Sequence, residues 1–268
     1  MEQKKKVALI TGASSGIGQA AAVLLAQKGF QVYGTSRKGG EGKEPFFMVQ
    51  LDVTEEASVR SCIETVMERE GRIDLLVNNA GFGIAGAVED TSPEEVQSQL
   101  ETNLAGVHRM CRQVLPIMRR QGGGKIINVS SVAGYIAIPY QTFYTVSKYA
   151  VEGYSRALRN EVGQFGIRVA MVQPGDTKTG FTKERVTTAE TGEHSAYYKK
   201  VTASVQRMAR DEQNGADPIK VAKVILRLAQ RKNPPVAVTV GVPYKLIKAA
   251  QRLLPERLVS FIVGKLYG

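Results

Sequence analysis

Short apolar-rich runs alternate along this chain with longer stretches in which apolar positions recur every three or four residues. The runs are Val7 to Ile10, Gln31 to Ser36, Phe46 to Val53, Leu75 to Val77, Lys125 to Val129, Arg168 to Gln173 and Val236 to Val240. Runs this short, without polar alternation, have the pattern of parallel strands buried on both faces. Helical spacing fills the gaps: Gln19 to Lys28, the stretch after Thr54 with Val59, Ile63, Val66 and Met67 on one face, and Ser92 towards Arg120. It resumes over Tyr149 to Phe165 and, after Asp217-Pro218, through Val221, Val224, Ile225 and Leu228. Ser92-Pro93-Glu94-Glu95 is a strong helix start, with Ser92 as N-cap and Glu95 placed to complete a capping box. Strand and helix in regular alternation predict one α/β domain, a doubly wound parallel sheet with helices on both faces.

The turns between these elements carry the chemistry. In KVALITGASSGIG, Gly12, Gly16 and Gly18 punctuate the step from the first run into the first helix. Glycines there let backbone N–H groups and a helix N-terminus reach a phosphate, which the helix dipole favours. The second run ends in Ser36-Arg37-Lys38, where a dinucleotide-binding fold meets the adenosine ribose. A carboxylate at that place suits a free 2'-hydroxyl, whereas Arg37 and Ser36 suit a 2'-phosphate, so NADP(H) is expected in preference to NAD(H). A solvated Arg-Lys turn is the competing reading. Tyr144 and Lys148 stand four apart and share a helix face. A free phenol is a poor base near neutral pH, and a nearby ammonium or oxidised nicotinamide favours its phenolate.

The TGxxxGxG spacing of the first turn, the NNAG of Asn78 to Gly81, and Ser131, Tyr144 and Lys148 follow in order. In this the chain resembles the short-chain dehydrogenase/reductase family, from Lys6 to about Thr179. The resemblance implies a Rossmann-like fold and direct hydride transfer between nicotinamide C4 and a carbonyl carbon. It implies that Gly12, Ser14, Ser15, Gly16, Ile17 and Gly18 bind the cofactor, that Asp52, with Val53 beside it, bonds the adenine amino group, and that Asn79, Ala80 and Gly81 line the adenine ribose. Pro174-Gly175, with Thr177 and Thr179, is where the family holds the nicotinamide carboxamide. Ser131, thirteen residues before Tyr144, would bond the carbonyl oxygen with Tyr144, which gives or takes the proton. Lys148 would bind the nicotinamide ribose and tune Tyr144, and Asn103 would distort its helix and hold a water relaying protons to the lysine. On sequence alone Asn103 also reads as an exposed mid-helix asparagine, and Ser130 as an equally placed strand-end hydroxyl.

At 268 residues and 43% hydrophobic the chain suits a single domain spanning 1–268. Two cysteines, Cys62 and Cys111, show no metal spacing, and with two histidines no metal site is expected. A reducing compartment, the cytoplasm, is the expected location. MEQKKK has no apolar segment of a secretory leader, and no run is long enough to span a bilayer. The net charge of +11 is spread along helices without interleaved aromatics, which argues against nucleic acid.

Two segments remain. Residues 180–216 form a long charged stretch expected to be a substrate lid, with a permanently packed helical excursion as the alternative. Residues 244–267 read as helical on both sides of Pro255, with Lys245, Lys248, Arg252, Arg257 and Lys265 on a basic side. Such a tail covers a pocket or a neighbouring subunit, or makes peripheral contact with a membrane. Apolar residues between Ser131 and Tyr144, among them Ile136, Ile138 and Phe143, predict a lipophilic ketone or alcohol like those of the hydroxysteroid and retinol branch. Polar or carrier-linked carbonyls, and a cofactor-binding sensor or scaffold without turnover, stay open. The family's usual helix-to-helix pairing implies a homo-oligomer, dimer or tetramer.

Overall fold

The computed structural model describes residues 5–40 and 45–268. Residues 1–4, part of the segment read above as lacking a leader, lie outside the described residues. The strands are β1 (Val7–Ile10), β2 (Gln31–Ser36), β3 (Phe47–Gln50), β4 (Leu75–Asn78), β5 (Ile84–Ala85), β6 (Gly124–Val129), β7 (Ile167–Pro174), β8 (Val186–Thr187) and β9 (Ala237–Val240). The helices are α1 (Gly16–Gln27), α2 (Glu56–Glu70), α3 (Pro93–Leu100), α4 (Gly106–Arg120), α5 (Thr142–Val162), α6 (Phe181–Glu184), α7 (Tyr198–Gln213), α8 (Pro218–Gln230), α9 (Val242–Leu253) and α10 (Glu256–Tyr267).

Seven strands form one parallel sheet in the order β3-β2-β1-β4-β6-β7-β9. Ile10 pairs with Gly34 on one side and Val77 on the other. The unbroken apolar runs follow from burial on both faces. Val7 and Leu9 pack among α2, α4 and α5, while Ala8 and Ile10 pack against α1 and α8. The chain winds outward from β1 in both directions, so the C-terminal ends of β1 and β4 diverge into a crevice, the usual ligand site of such sheets.

Departures from the sequence pattern have local causes. The third strand stops at Gln50, because the Asp52 carboxylate accepts bonds from the Thr54 N–H (3.0 Å) and hydroxyl (2.7 Å) and turns the chain out of the sheet. Ser92 forms the expected capping box with Glu95. The helix it starts is interrupted by one wide π-helical turn, Glu101–Ala105, before α4 continues. The segment 180–216 is an ordered excursion carrying α6, β8 and α7. Its ends are pinned together where Ala216 N–H donates to Asp176 O and Lys178 N–H to Ala216 O. Its β8 pairs with β5 in a small second sheet that no run in the sequence announced.

Candidate active site

At the C-terminal ends of β1, β2 and β4 the glycine turn is locked in place before anything binds. Thr11 Oγ1 accepts from the N–H groups of Asn79 (2.9 Å) and Ala80 (3.0 Å). Asn79 Nδ2 donates back to the carbonyls of Thr11 (3.0 Å) and Gly12 (2.9 Å). Gly12 has a φ of +66°, and a Cβ on Gly18 would lie 2.1 Å from Gly12 O, so α1 can approach β1 this closely only with glycine there. Ser15 is the N-cap of α1, yet its hydroxyl makes no capping bond, which leaves it and the first-turn N–H groups to an anion. These features fit a dinucleotide pyrophosphate. Gly12, Ser14, Ser15, Gly16, Ile17, Ser36, Arg37, Asp52, Val53, Asn79, Ala80, Gly81, Lys148, Pro174, Gly175, Thr177 and Thr179 all line one cleft of about 950 Å³. Gly18 does not. It lies beneath the turn as a packing glycine, a correction to its expected contact with the cofactor.

Where β2 ends, Arg37 is exposed on the cleft wall, and Ser36 Oγ donates to Gly39 O (3.0 Å). Burial pushes the nearby Asp52 carboxyl up, but the Thr54 bonds and the positive charges of Arg37 and Arg109 outweigh it, and Asp52 is held below the usual carboxylate range.

Beyond the ribose pocket the π turn decides where Asn103 points. It is buried, not the exposed mid-helix asparagine. Its Oδ1 accepts from Phe82 N–H (3.1 Å), and Nδ2 donates to Phe82 O and to Ser147 Oγ (3.0 Å each). Ser147 in turn donates to Tyr144 O (2.7 Å), so Asn103 ties the first turns of α5 to the loop after β4. Asn103 stands behind the cleft wall, and a Cβ on Gly81 would come within 2.9 Å of its Oδ1 and 3.8 Å of Lys148 Nζ, so a glycine there keeps the asparagine and the lysine close.

Lys148 and Tyr144 share the expected face of α5 and are both buried. Lys148 Nζ donates to Val129 O (3.1 Å) and lies 5.7 Å from the Tyr144 ring centre. Burial lowers its ammonium to about 8. Tyr144 departs from the expected direction: burial pushes its phenol up to about 12. The Ser131 hydroxyl pulls it down, but the carboxylates of Glu212 and Asp176 push it up and Arg185 only partly offsets them. Of the two strand-end serines it is therefore Ser131 that addresses the phenol. Ser131 Oγ also accepts from Ala133 N–H (3.1 Å), whereas Ser130 Oγ is buried without a partner.

The far wall comes from the two segments expected to be a lid and a covering tail, but Tyr244 and Glu212 on it were not singled out in the sequence. Tyr244 donates to Asp176 Oδ2 (2.5 Å), and its ring occupies the space a Cβ on Gly175 would need, 2.1 Å away. Glu212 on α7 accepts from Arg185 and Thr182. The one sequence signal was a Pro-Gly turn followed by polar Asp176 and Lys178 where apolar residues were expected.

Residues 6–190 match the model of the short chain dehydrogenase family. The chain belongs to the short-chain dehydrogenase family. This short-chain dehydrogenase is 44% identical over 263 residues to a protein of Bacteroides thetaiotaomicron named 3-ketodihydrosphingosine reductase, the match covering 98% of each chain. Its fold matches the crystal structure of a short-chain dehydrogenase from Streptomyces avermitilis with a TM-score of 0.82, at 32% identity and over 92% and 93% of the two chains. A short-chain dehydrogenase/reductase from Burkholderia phymatum, solved in complex with NAD, matches with a TM-score of 0.79 at 26% identity over 94% of each chain. The chain is thus an NAD(P)-dependent oxidoreductase with a Rossmann-like sheet.

Proposed function

We propose that this enzyme reduces a lipophilic ketone with NADPH, Tyr144 giving the proton to the carbonyl oxygen. The observation that carries this reading is the Tyr144 phenol, buried in the cleft beside Ser131 and Lys148, and the name of the 3-ketodihydrosphingosine reductase relative favours reduction. Such a phenol is protonated at neutral pH, the state that can neutralise a nascent alkoxide. Ser131 and Tyr144 supply hydrogen bonds to the oxygen on which negative charge grows. Lys148, lowered to about 8 by burial, is placed to return a proton to Tyr144, with Asn103 and water connecting the lysine to solvent. The nicotinamide, when bound, supplies the hydride.

Past Tyr144 the cleft wall is apolar, with Ile136, Ile138, Phe181, Ile247, Leu254 and Val263. This supports a long-chain or polycyclic substrate, and the name of the 3-ketodihydrosphingosine reductase relative favours the long-chain kind over a steroid- or retinoid-like ketone. Arg37 on the ribose side supports NADPH over NADH. A fluorescence titration with both cofactors tests this. Loss of one charge-assisted contact costs about 1.5–3 kcal/mol, so NADPH should bind roughly tenfold or more tighter, and Arg37→Asp should remove the difference. Equal affinities in the wild type would take Arg37 out of the site. Oxidation of NADPH on adding a long-chain ketone tests the reaction itself.

A further inference from the structure

The helix that closes the cleft is built inside out. On α9 the side chains reaching the core are polar. Tyr244 donates to Asp176, Lys248 Nζ to Gln173 Oε1 (2.5 Å), and Gln251 to Tyr135 O. Their spacing of four and three puts them on one face. This corrects the sequence reading of Lys248 as part of an outer basic side; the Arg252 side chain lies outside the described residues. The face turned away carries Val242, Leu246 and Leu253, which are 68%, 66% and 84% exposed, and α10 adds Phe261 at 62%. A helix docked for its own stability turns its apolar side inward, so these side chains are not accounted for by the fold.

Ile247, Leu254, Ile262 and Leu266 are each exposed and also part of the cleft wall. The apolar outer surface therefore runs without a break into the substrate pocket. Lys245, Arg257 and Lys265 are exposed around it, and Glu256 is the one acid from 242 to 268.

We propose that α9 and α10 lie in the interface of an anionic lipid bilayer, apolar face inward, so that the cleft opens towards the acyl layer and takes its substrate from there. The outward residues bury in the acyl boundary while the basic ones meet anionic headgroups. The purpose of the arrangement, though not its geometry, rests on the lipophilic-ketone reading.

The test is sedimentation of the full chain with vesicles of phosphatidylcholine containing phosphatidylglycerol. Wild-type protein should pellet with these vesicles, less with phosphatidylcholine alone, and return to the supernatant as salt is raised. Leu246→Glu with Leu253→Glu, both outside the cleft wall, should cut partitioning by about tenfold or more while turnover of a short water-soluble ketone with NADPH stays at the wild-type level. Wild-type protein left in the supernatant at low salt, or a double variant that pellets as before, overturns the proposal. So does a double variant whose mass by light scattering falls to that of a smaller oligomer, because the face would then belong to a second copy of the chain. Failure of both proteins to reduce the soluble ketone counts against the ketone reading and leaves the sedimentation result standing.

Discussion

Replacing Lys148 by Met separates what this lysine costs the fold from what it does in the site. Its Nζ is buried beside Val129 O, and burial lowers the ammonium from 10.5 to about 8. At about 1.4 kcal/mol for each tenfold, that gap costs the folded state about 3 kcal/mol at neutral pH, where the lysine is charged both folded and unfolded. Because the folded value is depressed, the folded protein sheds its proton first as pH rises through about 8. From there to the unfolded value of 10.5 the penalty shrinks, and stability rises with pH. Methionine fills similar volume but forfeits the bond to Val129, worth about 1 kcal/mol. Lys148→Met should therefore be about 2 kcal/mol more stable than wild type at neutral pH, with the advantage gone by about pH 10. Tyr144 begins to ionise only above that range, so the difference between the two proteins isolates the lysine. The assay is urea unfolding without cofactor at a series of pH values, with equal slopes for both proteins as the condition for comparing midpoints. A variant less stable than wild type at neutral pH, or a gap that does not change with pH, refutes the reasoning. Turnover should be lost in the same variant, so the lysine would be shown to be kept for function at the expense of stability.

Tyr144→Phe keeps the ring in place against Phe181, 5.5 Å between centres, and should lower turnover by about two to four orders of magnitude while NADPH affinity stays near wild type. Steady-state kinetics beside a binding titration checks this, and retained turnover would remove Tyr144 as the acid. Asn103→Ala strips partners from Phe82 N–H, Phe82 O and Ser147 Oγ and should cost about 2–3 kcal/mol by denaturant unfolding, with an unchanged midpoint counting against the positioning role. Gly175→Ala places a Cβ 2.1 Å from the Tyr244 ring and should lift α9. Trypsin should then cut at Lys245 and Lys248 sooner than in wild type, and an identical time course would mean the tail accommodates the methyl group.

The strands of the parallel sheet and the positions of Ser131, Tyr144 and Lys148 were legible because each is encoded locally. An apolar run buried on both faces needs no partner to be recognised, and a Tyr-x-x-x-Lys pair on a helix fixes its own geometry. Cases in which tertiary bonds decide were not legible. Asn103 was legible only through the family resemblance, which implied a distorted helix there; its own position left an exposed asparagine open, and the π turn instead directs its side chain into bonds with residues 21 and 44 positions away. Gly18 was read with the other glycines of its motif, but its role is steric, under the turn. The short β5 and β8 are too brief to announce themselves and pair across about a hundred residues. The tail was legible as amphipathic but not for which side faces the core, since that depends on Asp176, Gln173 and Tyr135 offering acceptors to it.

The division of labour along the chain follows from this. The family match ends at residue 190, and the motif residues up to that point build a machine that could run in either direction: a hydroxyl pair, a lysine and a cradle for a dinucleotide. Burial within the fold raises the phenol most, and the charges that add to it lie at the end of that region or past it. Asp176 follows the Pro-Gly turn, and Glu212 on α7 is held against α6 by Arg185, whose side chain is 2% exposed. Both carboxylates raise the Tyr144 phenol further, on top of its burial. Tyr244 secures Asp176 from the same helix that closes the cleft and presents leucines outward. The surroundings of the phenol and the far wall of the cleft are thus shaped by one set of late elements packed against the motif residues.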